Sequence, residues 1–154
     1  MTTQRHEDLL VGHGKMDAEH DGLLRIVDEL RRAAAAGDDA AFGSAIGRLW
    51  DAVVGHFATE DALMEEFSYP ERVAHRAAHH LFLEDLKALS AEYEAQGRSD
   101  DVVAWATQRA PEWLVFHIQT NDAPLARFIA RRTATRILAG ARGDPAPAPK
   151  RRES

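Results

Sequence analysis

The sequence predicts an all-α protein, folded as an antiparallel up-down four-helix bundle with an N-terminal arm and a C-terminal extension. Alanine is abundant and β-branched runs are few, which favours helix. Apolar residues recur three and four positions apart in four stretches, each separated from the next by a short polar, Gly- or Pro-containing break. Four amphipathic helices joined by short connections pack as a bundle.

We divide the chain into three parts. Residues 1–16 form the arm, residues 17–139 the bundle, and residues 140–154 a basic Pro/Ala-rich tail that we expect to be disordered. Gly12 and Gly14 oppose helix in the arm, so the first helix is expected to begin near Asp17. It should end at Gly37.

The remaining helices are also bounded by capping and helix-breaking residues. The second follows Asp38 and ends at the break over 68–70, and the third ends near Gly97. The fourth begins after Ser99, and Pro111 suggests that residues 100–108 form a separate short helix or turn.

Composition excludes several classes of site. There is no cysteine, so the chain has no disulfide, no thiolate metal ligand and no cysteine nucleophile. No apolar run approaches the roughly 20 residues of a membrane-spanning helix, and the N-terminus has no signal-peptide pattern. We therefore expect a cytoplasmic protein without membrane insertion.

Charge is distributed unevenly along the chain. Residues 127–154 carry eight basic and two acidic residues, while residues 1–126 carry a net charge of −12. The acidic body argues against nucleic-acid binding. The basic extension is either a solvated, solubilising segment or a contact for an acidic partner or surface.

Each predicted helix has polar residues on its apolar stripe. They are His20, His56, Glu60, His75, His79, His117 and Asp122. Taken singly, each could be a core side chain with a hydrogen-bond partner, or a solvated one. Because bundle cores are where facing helices build metal sites, their occurrence together predicts a metal centre with nitrogen and oxygen ligands.

The number of candidate ligands narrows the kind of centre. Five imidazoles and two carboxylates exceed the four ligands that close a zinc site. No Glu lies three residues before any histidine, so the ferritin-like Glu-x-x-His pattern is absent. Two metals that share two carboxylates would use all seven side chains.

The spacing of His117 and Asp122 predicts a local irregularity. Five residues on an ideal α-helix separate two side chains by about 140°. Both can face one metal pair only if a π-type turn lies between them, and Pro124 is compatible with such a turn.

Four motifs give the chain a resemblance to the bacterial hemerythrins over roughly residues 9–130. They are Met-Asp-Ala-Glu-His at 16–20, His-Phe-Ala-Thr-Glu at 56–60, His-Arg-Ala-Ala-His-His-Leu-Phe at 75–82 and Trp-Leu-Val-Phe-His-Ile-Gln-Thr-Asn-Asp at 113–122. One departure is Glu19, where the family usually has Gln.

The resemblance implies a non-haem centre of two iron ions with an oxo or hydroxo bridge, and O2 as its ligand. His75, His79 and His117 would hold one iron. His20 and His56 would hold the other, which keeps an open position for O2. Glu60 and Asp122 would bridge the two ions. The family pattern also puts Leu114 over the O2 pocket, with Phe57, Leu23 and Ile118 as its expected neighbours.

Reversible O2 binding, for storage, delivery or sensing, is therefore the predicted function, and we do not expect an enzyme. Two alternatives stay open. One is an enzyme on the same site that acts on peroxide, nitric oxide or ferrous iron. The other is a signalling module that responds to O2 or redox state through its C-terminal extension.

Overall fold

A computed structural model of the chain describes residues 7–143. The first three helices are α1 (Gly14–Ala36), α2 (Asp39–Glu66) and α3 (Arg72–Gln96). The fourth is continuous but has five segments. They are α4 (Asp100–Ala104), π1 (Trp105–Arg109), α5 (Ala110–His117), π2 (Ile118–Asp122) and α6 (Ala123–Ala141). The predicted all-α bundle is confirmed, and no strand occurs within residues 7–143.

Short connections make consecutive helices antiparallel neighbours. α1 ends at Gly37, which adopts the left-handed conformation with φ of 69° and is followed directly by Asp38, the N-cap of α2. The Asp38 side chain accepts a hydrogen bond from the backbone nitrogen of Ala41 at 3.0 Å. Arg98, between α3 and α4, pairs with Asp39 at 2.6 Å and so ties the first and third connections together at one end of the bundle.

The apolar core has a large part and two small ones. The large part runs along the bundle and includes Leu30, Phe42, Leu49 and Leu86. One small cluster lies towards the end of the bundle away from Arg98 and contains Met16, Met64, Tyr69, Leu125 and Ile129. The other small cluster contains Leu9, Leu24 and Ile118. The predicted ligands lie between the large cluster and the small ones, so apolar packing surrounds them.

The start of α1 differs from the prediction. The helix begins at Gly14, three residues before Asp17, because His13 is its N-cap and its Nδ1 accepts a hydrogen bond from the backbone nitrogen of Met16 at 3.4 Å. Asp17 instead accepts hydrogen bonds from the backbone nitrogens of Val11 at 2.7 Å and Gly12 at 3.1 Å. The acid therefore holds the arm against α1.

One expectation about the fourth helix was wrong. Pro111 does not divide it, because the π1 turn accommodates the proline. The carbonyl of Thr107, which Pro111 cannot bond, accepts a hydrogen bond from Nε of Arg31 at 3.1 Å. The helix ends at Ala141, within two residues of the boundary at residue 139, and the division into bundle and tail stays a prediction. Most of the predicted tail, residues 144–154, and the first six residues of the arm lie outside the described residues.

None of the helices described over residues 7–143 is long and apolar enough to span a bilayer.

Candidate metal centre

All seven predicted ligands are buried and meet in one cluster. α1 supplies His20, α2 supplies His56 and Glu60, α3 supplies His75 and His79, α5 supplies His117, and π2 supplies Asp122. None is more than 4% exposed. Polar groups buried this completely are costly unless they are paired or bind a cation.

The histidines form two groups that each point Nε2 inwards. Nε2 of His117 lies 3.2 Å from Nε2 of His75 and 3.1 Å from Nε2 of His79. On the other side, Nε2 of His20 lies 3.1 Å from Nε2 of His56. We call these the triad and the pair.

Asp122 lies between the triad and the pair, with one oxygen towards each. Its Oδ1 is 3.2 Å from Nε2 of His75 and 3.0 Å from Nε2 of His117. Its Oδ2 is 3.0 Å from Nε2 of His20.

Glu60, on α2, also has one oxygen towards the triad and one towards the pair. Its Oε2 is 3.0 Å from Nε2 of His79 and 3.4 Å from Nε2 of His75, while its Oε1 is 3.6 Å from Nε2 of His56. Two carboxylates that each face both histidine groups are the ligands needed to bridge two metal ions.

The donor set fits two cations better than it fits a hydrogen-bond network. Both Glu60 oxygens and Oδ1 of Asp122 are buried without a hydrogen bond among the described residues. The Nε2 atoms of the triad have nitrogens as neighbours, and two imidazole nitrogens can share only one proton. Adjacent ligands of an octahedral ion with bonds of about 2.1 Å lie about 3.0 Å apart, which is close to the spacing found here. The atoms separate into two sets, Glu60 and Asp122 with the triad and the same carboxylates with the pair.

The predicted π turn is confirmed. Residues Ile118–Asp122 are π-helical, and the backbone nitrogen of Ala123 donates to the carbonyl of Ile118, five residues earlier. The wider turn takes up one extra residue, so His117 and Asp122 return to the same face of the helix.

Sequence reasoning missed the partners of the outer imidazole nitrogens. Nδ1 of His56 donates to Oε2 of Glu19 at 2.9 Å, and the hydroxyl of Thr59 donates to Oε1 of the same carboxylate at 2.7 Å. This bond puts the proton of His56 on Nδ1 and leaves Nε2 free to bind a metal. The Glu19 found at the family's Gln position therefore has a structural role.

The side-chain amide of Asn121 lies 2.8 Å from Nδ1 of His117. A half-turn of the amide presents its oxygen to the ring N–H, which orients the imidazole in the same way. Asn121 follows His117 by four residues, so helical spacing could have found it.

Aromatic rings pack against the triad. Phe57 stacks on His79 with ring centroids 3.7 Å apart, and Trp113 stacks on His117 at 4.4 Å. Of the predicted O2-pocket residues, Leu23, Phe57 and Leu114 belong to the large core cluster. The fourth, Ile118, belongs to the small cluster with Leu9 and Leu24.

Without a cation, the cluster would hold protons. Burial by itself lowers the pKa of His56, but the nearby carboxylates of Asp122 and Glu60 outweigh it and raise the pKa to about 9. The pKa of His75 is also raised to about 9, because Asp122 and Glu60 outweigh its burial. Burial and the charge of His75 lower the pKa of His79 to about 2.

The pKa values of the two carboxylates, Glu60 and Asp122, are shifted in opposite directions. Burial raises the pKa of Glu60 to about 7. Burial acts in the same direction on Asp122, but the surrounding imidazoles outweigh it and hold its pKa well below the usual range. Asp122 is thus the permanent negative charge of the cluster.

Comparisons with known proteins agree with this geometry. The family model described as "Hemerythrin HHE cation binding domain" matches residues 11–129. A bacteriohemerythrin of Stenotrophomonas maltophilia is 28% identical over 120 residues, which are 78% of this chain and 76% of the relative. Myohemerythrin-1 of Phascolopsis gouldii is 33% identical over 116 residues, 75% of this chain and 85% of the relative.

A solved structure of wild-type hemerythrin superposes with a TM-score of 0.68 at 27% identity, covering 75% of this chain and 88% of that one. The match of the family model extends over all four helices and includes each of the seven clustered side chains. The chain belongs to the hemerythrin family.

Proposed function

We propose that the cluster holds two iron ions and that the protein binds O2 reversibly, for storage, delivery or sensing. The triad would hold one ion, the pair would hold the other, and Glu60 and Asp122 would bridge them. The observation that carries this proposal is the position of both carboxylates, each with one oxygen towards the triad and one towards the pair.

Two ferrous ions would supply two electrons. The ion held by the pair would also have an open position for O2, because the pair has one imidazole fewer than the triad. The side chains of this protein do the rest. Glu19 orients His56 and makes it a stronger donor, and Asn121 does the same for His117. We propose Leu114, Phe57, Leu23 and Ile118 as the apolar lining that excludes water, since each is at most 4% exposed.

The composition of the cluster favours binding over catalysis. It is rich in imidazole and has two carboxylates, both of them placed between the histidine groups. Neither tyrosine belongs to the cluster: the hydroxyl of Tyr93 donates to the carbonyl of Asp39 at 3.0 Å, and Tyr69 packs with Met16 and Leu125.

Metal analysis and anaerobic oxygenation test the proposal. We expect two iron ions per chain, and a visible charge-transfer band that appears with O2 and fades when O2 is removed. One zinc ion per chain would overturn the metal assignment. Rapid conversion to an inert ferric form, or turnover of peroxide, would favour the enzyme.

Two histidine variants test the division of ligands. His20→Ala should lose the iron of the pair and keep the iron of the triad, whereas loss of both together would contradict the division. His80→Ala is the matched control, because His80 is exposed and lies next to His79 on α3. It should keep both ions.

A further inference from the structure

A groove on the surface of the bundle comes within one aromatic ring of the metal ligands. It lies between α3 and the first half of the fourth helix and has a volume of about 640 Å³. Three aromatic side chains line it: Phe82, Trp105 and Trp113. Both tryptophans are half-buried, so their rings are accessible from the groove.

The rings form a continuous column from the groove to the triad. Trp113 stacks on His117, with centroids 4.4 Å apart and planes at 12°. Phe82 stacks on Trp113 at 4.2 Å and 22°, and Trp105 packs on Phe82 at 5.7 Å. Trp50, by contrast, lines another groove and has no ring contact with a cluster histidine in the described part of the chain.

The rim of the groove is acidic. Asp85, Glu92 and Asp101 line it, with Arg109 as the single basic residue. No ion pair is found between Arg109 and these carboxylates among residues 7–143, so the rim keeps an excess of negative charge that would attract a cation. Aromatic faces next to carboxylates also suit a cation, because the ring face carries partial negative charge.

We infer that this groove is the entry site for electrons that return the ferric form of the metal centre to the ferrous form. The donor is a one-electron reductant with a positively charged contact surface, and the column of Trp105, Phe82 and Trp113 leads from the groove to His117. This inference rests on the proposed function. A buried centre that loses its electrons cannot bind O2 again, and a protein without cysteine has no thiol of its own to re-reduce it.

The electron balance is simple. Each reductant molecule loses one electron and one ferric ion becomes ferrous, so two reductant molecules restore one centre of two ions. The aromatic rings undergo no net change, and no bond in them forms or breaks.

The test uses hexaammineruthenium(II), a small cationic one-electron reductant, mixed anaerobically with the ferric, iron-loaded protein in a stopped-flow instrument. In Asp85→Asn/Glu92→Gln/Asp101→Asn we expect reduction about tenfold slower at low salt, and the difference should disappear at high salt. Trp105→Leu should be several-fold slower and Trp105→Phe close to wild type. Trp50→Leu, the matched control, should be unchanged.

Dithionite, an anionic reductant, separates a lost entry site from a damaged centre. The same variants should react with it at least as fast as the wild type does. The inference is overturned if the cationic reductant reduces Trp105→Leu and the acid-neutralised variant at the wild-type rate. The inference is also overturned if these variants slow reduction by dithionite as much as they slow reduction by the cationic reductant.

A metal-independent measurement keeps the inference distinct from the proposed function. On the metal-free protein, hexaammineruthenium(III) should quench tryptophan fluorescence at low concentration, and Trp105→Leu and the acid-neutralised variant should weaken the quenching. Iron analysis and the O2 band of the wild type test the proposed function alone. If the wild type lacks the iron or the O2 band while the groove still binds hexaammineruthenium(III), the proposed function is wrong. If the groove does not bind hexaammineruthenium(III), the inference is wrong.

Discussion

Replacing Asp122 by Asn removes the one permanent negative charge of the cluster and preserves its shape. In the metal-free protein at about pH 7, His56 and His75 are protonated, because their pKa values are about 9. The compensating charges are Asp122 and, in part, Glu60, whose pKa is about 7. The substitution therefore leaves buried positive charge without its main partner.

The size of the effect follows from burial. Breaking a buried ion pair by removing one partner costs about 3–5 kcal/mol. In a domain of this size each kcal/mol lowers Tm by about 2–4 °C, so Tm should fall by roughly 6–20 °C. The pKa values of His56 and His75 are raised on folding, so their stabilisation is fully present below about pH 6.5 and lost as pH rises through 9. The deficit of the Asn variant should therefore shrink between about pH 7 and pH 10.

Thermal unfolding followed by far-UV circular dichroism, with a chelator present, measures this effect. Glu65→Gln is the control, because its carboxylate is 60% exposed and pairs with Arg76 on the surface. That change should cost no more than about 1 kcal/mol. An Asp122→Asn protein with wild-type Tm at about pH 7, or a deficit that grows towards pH 10, would refute the coupling described here.

Three further predictions concern the helix turn, the protons and Glu19. Deleting the exposed Gln119 should convert π2 into a regular turn and keep both iron ions and Tm, because four residues separate His117 and Asp122 by only about 40° on an α-helix. Deleting Glu84 from the regular helix α3 should instead turn Leu86 out of the core by about 100° and unfold the protein; equal effects of the two deletions would contradict the assignment. Adding ferrous iron to the metal-free protein at about pH 8 should release at least two protons, one each from His56 and His75, and more below about pH 7 where Glu60 is also protonated. A pH indicator measures the release, and iron affinity that rises as pH falls would be inconsistent with it. Glu19→Ala should weaken iron binding at the pair by about 10–100-fold, measured by chelator competition, and leave the triad unchanged. Equal weakening at both ions would exclude a local role for Glu19.

The position of the seven buried side chains could be predicted because helical periodicity is a local property. His56 and Glu60, or His75 and His79, lie four residues apart and so share a face in any α-helix. The spacing of His117 and Asp122 conflicts with that rule, and the conflict itself predicted the π turn at Ile118–Asp122.

Other features depend on contacts between residues that are far apart in the chain. Pro111 was expected to break the fourth helix, but π1 accommodates it and Arg31, on α1, bonds the carbonyl of Thr107 that the proline leaves free. No local pattern contains that partner. The start of α1 was misplaced for a local reason, because a histidine cap at residue 13 is unusual in type and the glycines around it disfavour helix.

The sequence by itself determined the fold class, the family and the residues of the cluster, since each depends on residue type and on spacing within one helix. Only the tertiary structure decided that Glu19 on α1 orients His56 on α2, and that both carboxylates face both histidine groups. It also brought Phe82 of α3 between Trp105 and Trp113 of the fourth helix. These contacts depend on how the helices are rotated and packed against one another. The packing of the whole core sets those rotations, and the periodicity along a single helix does not specify them.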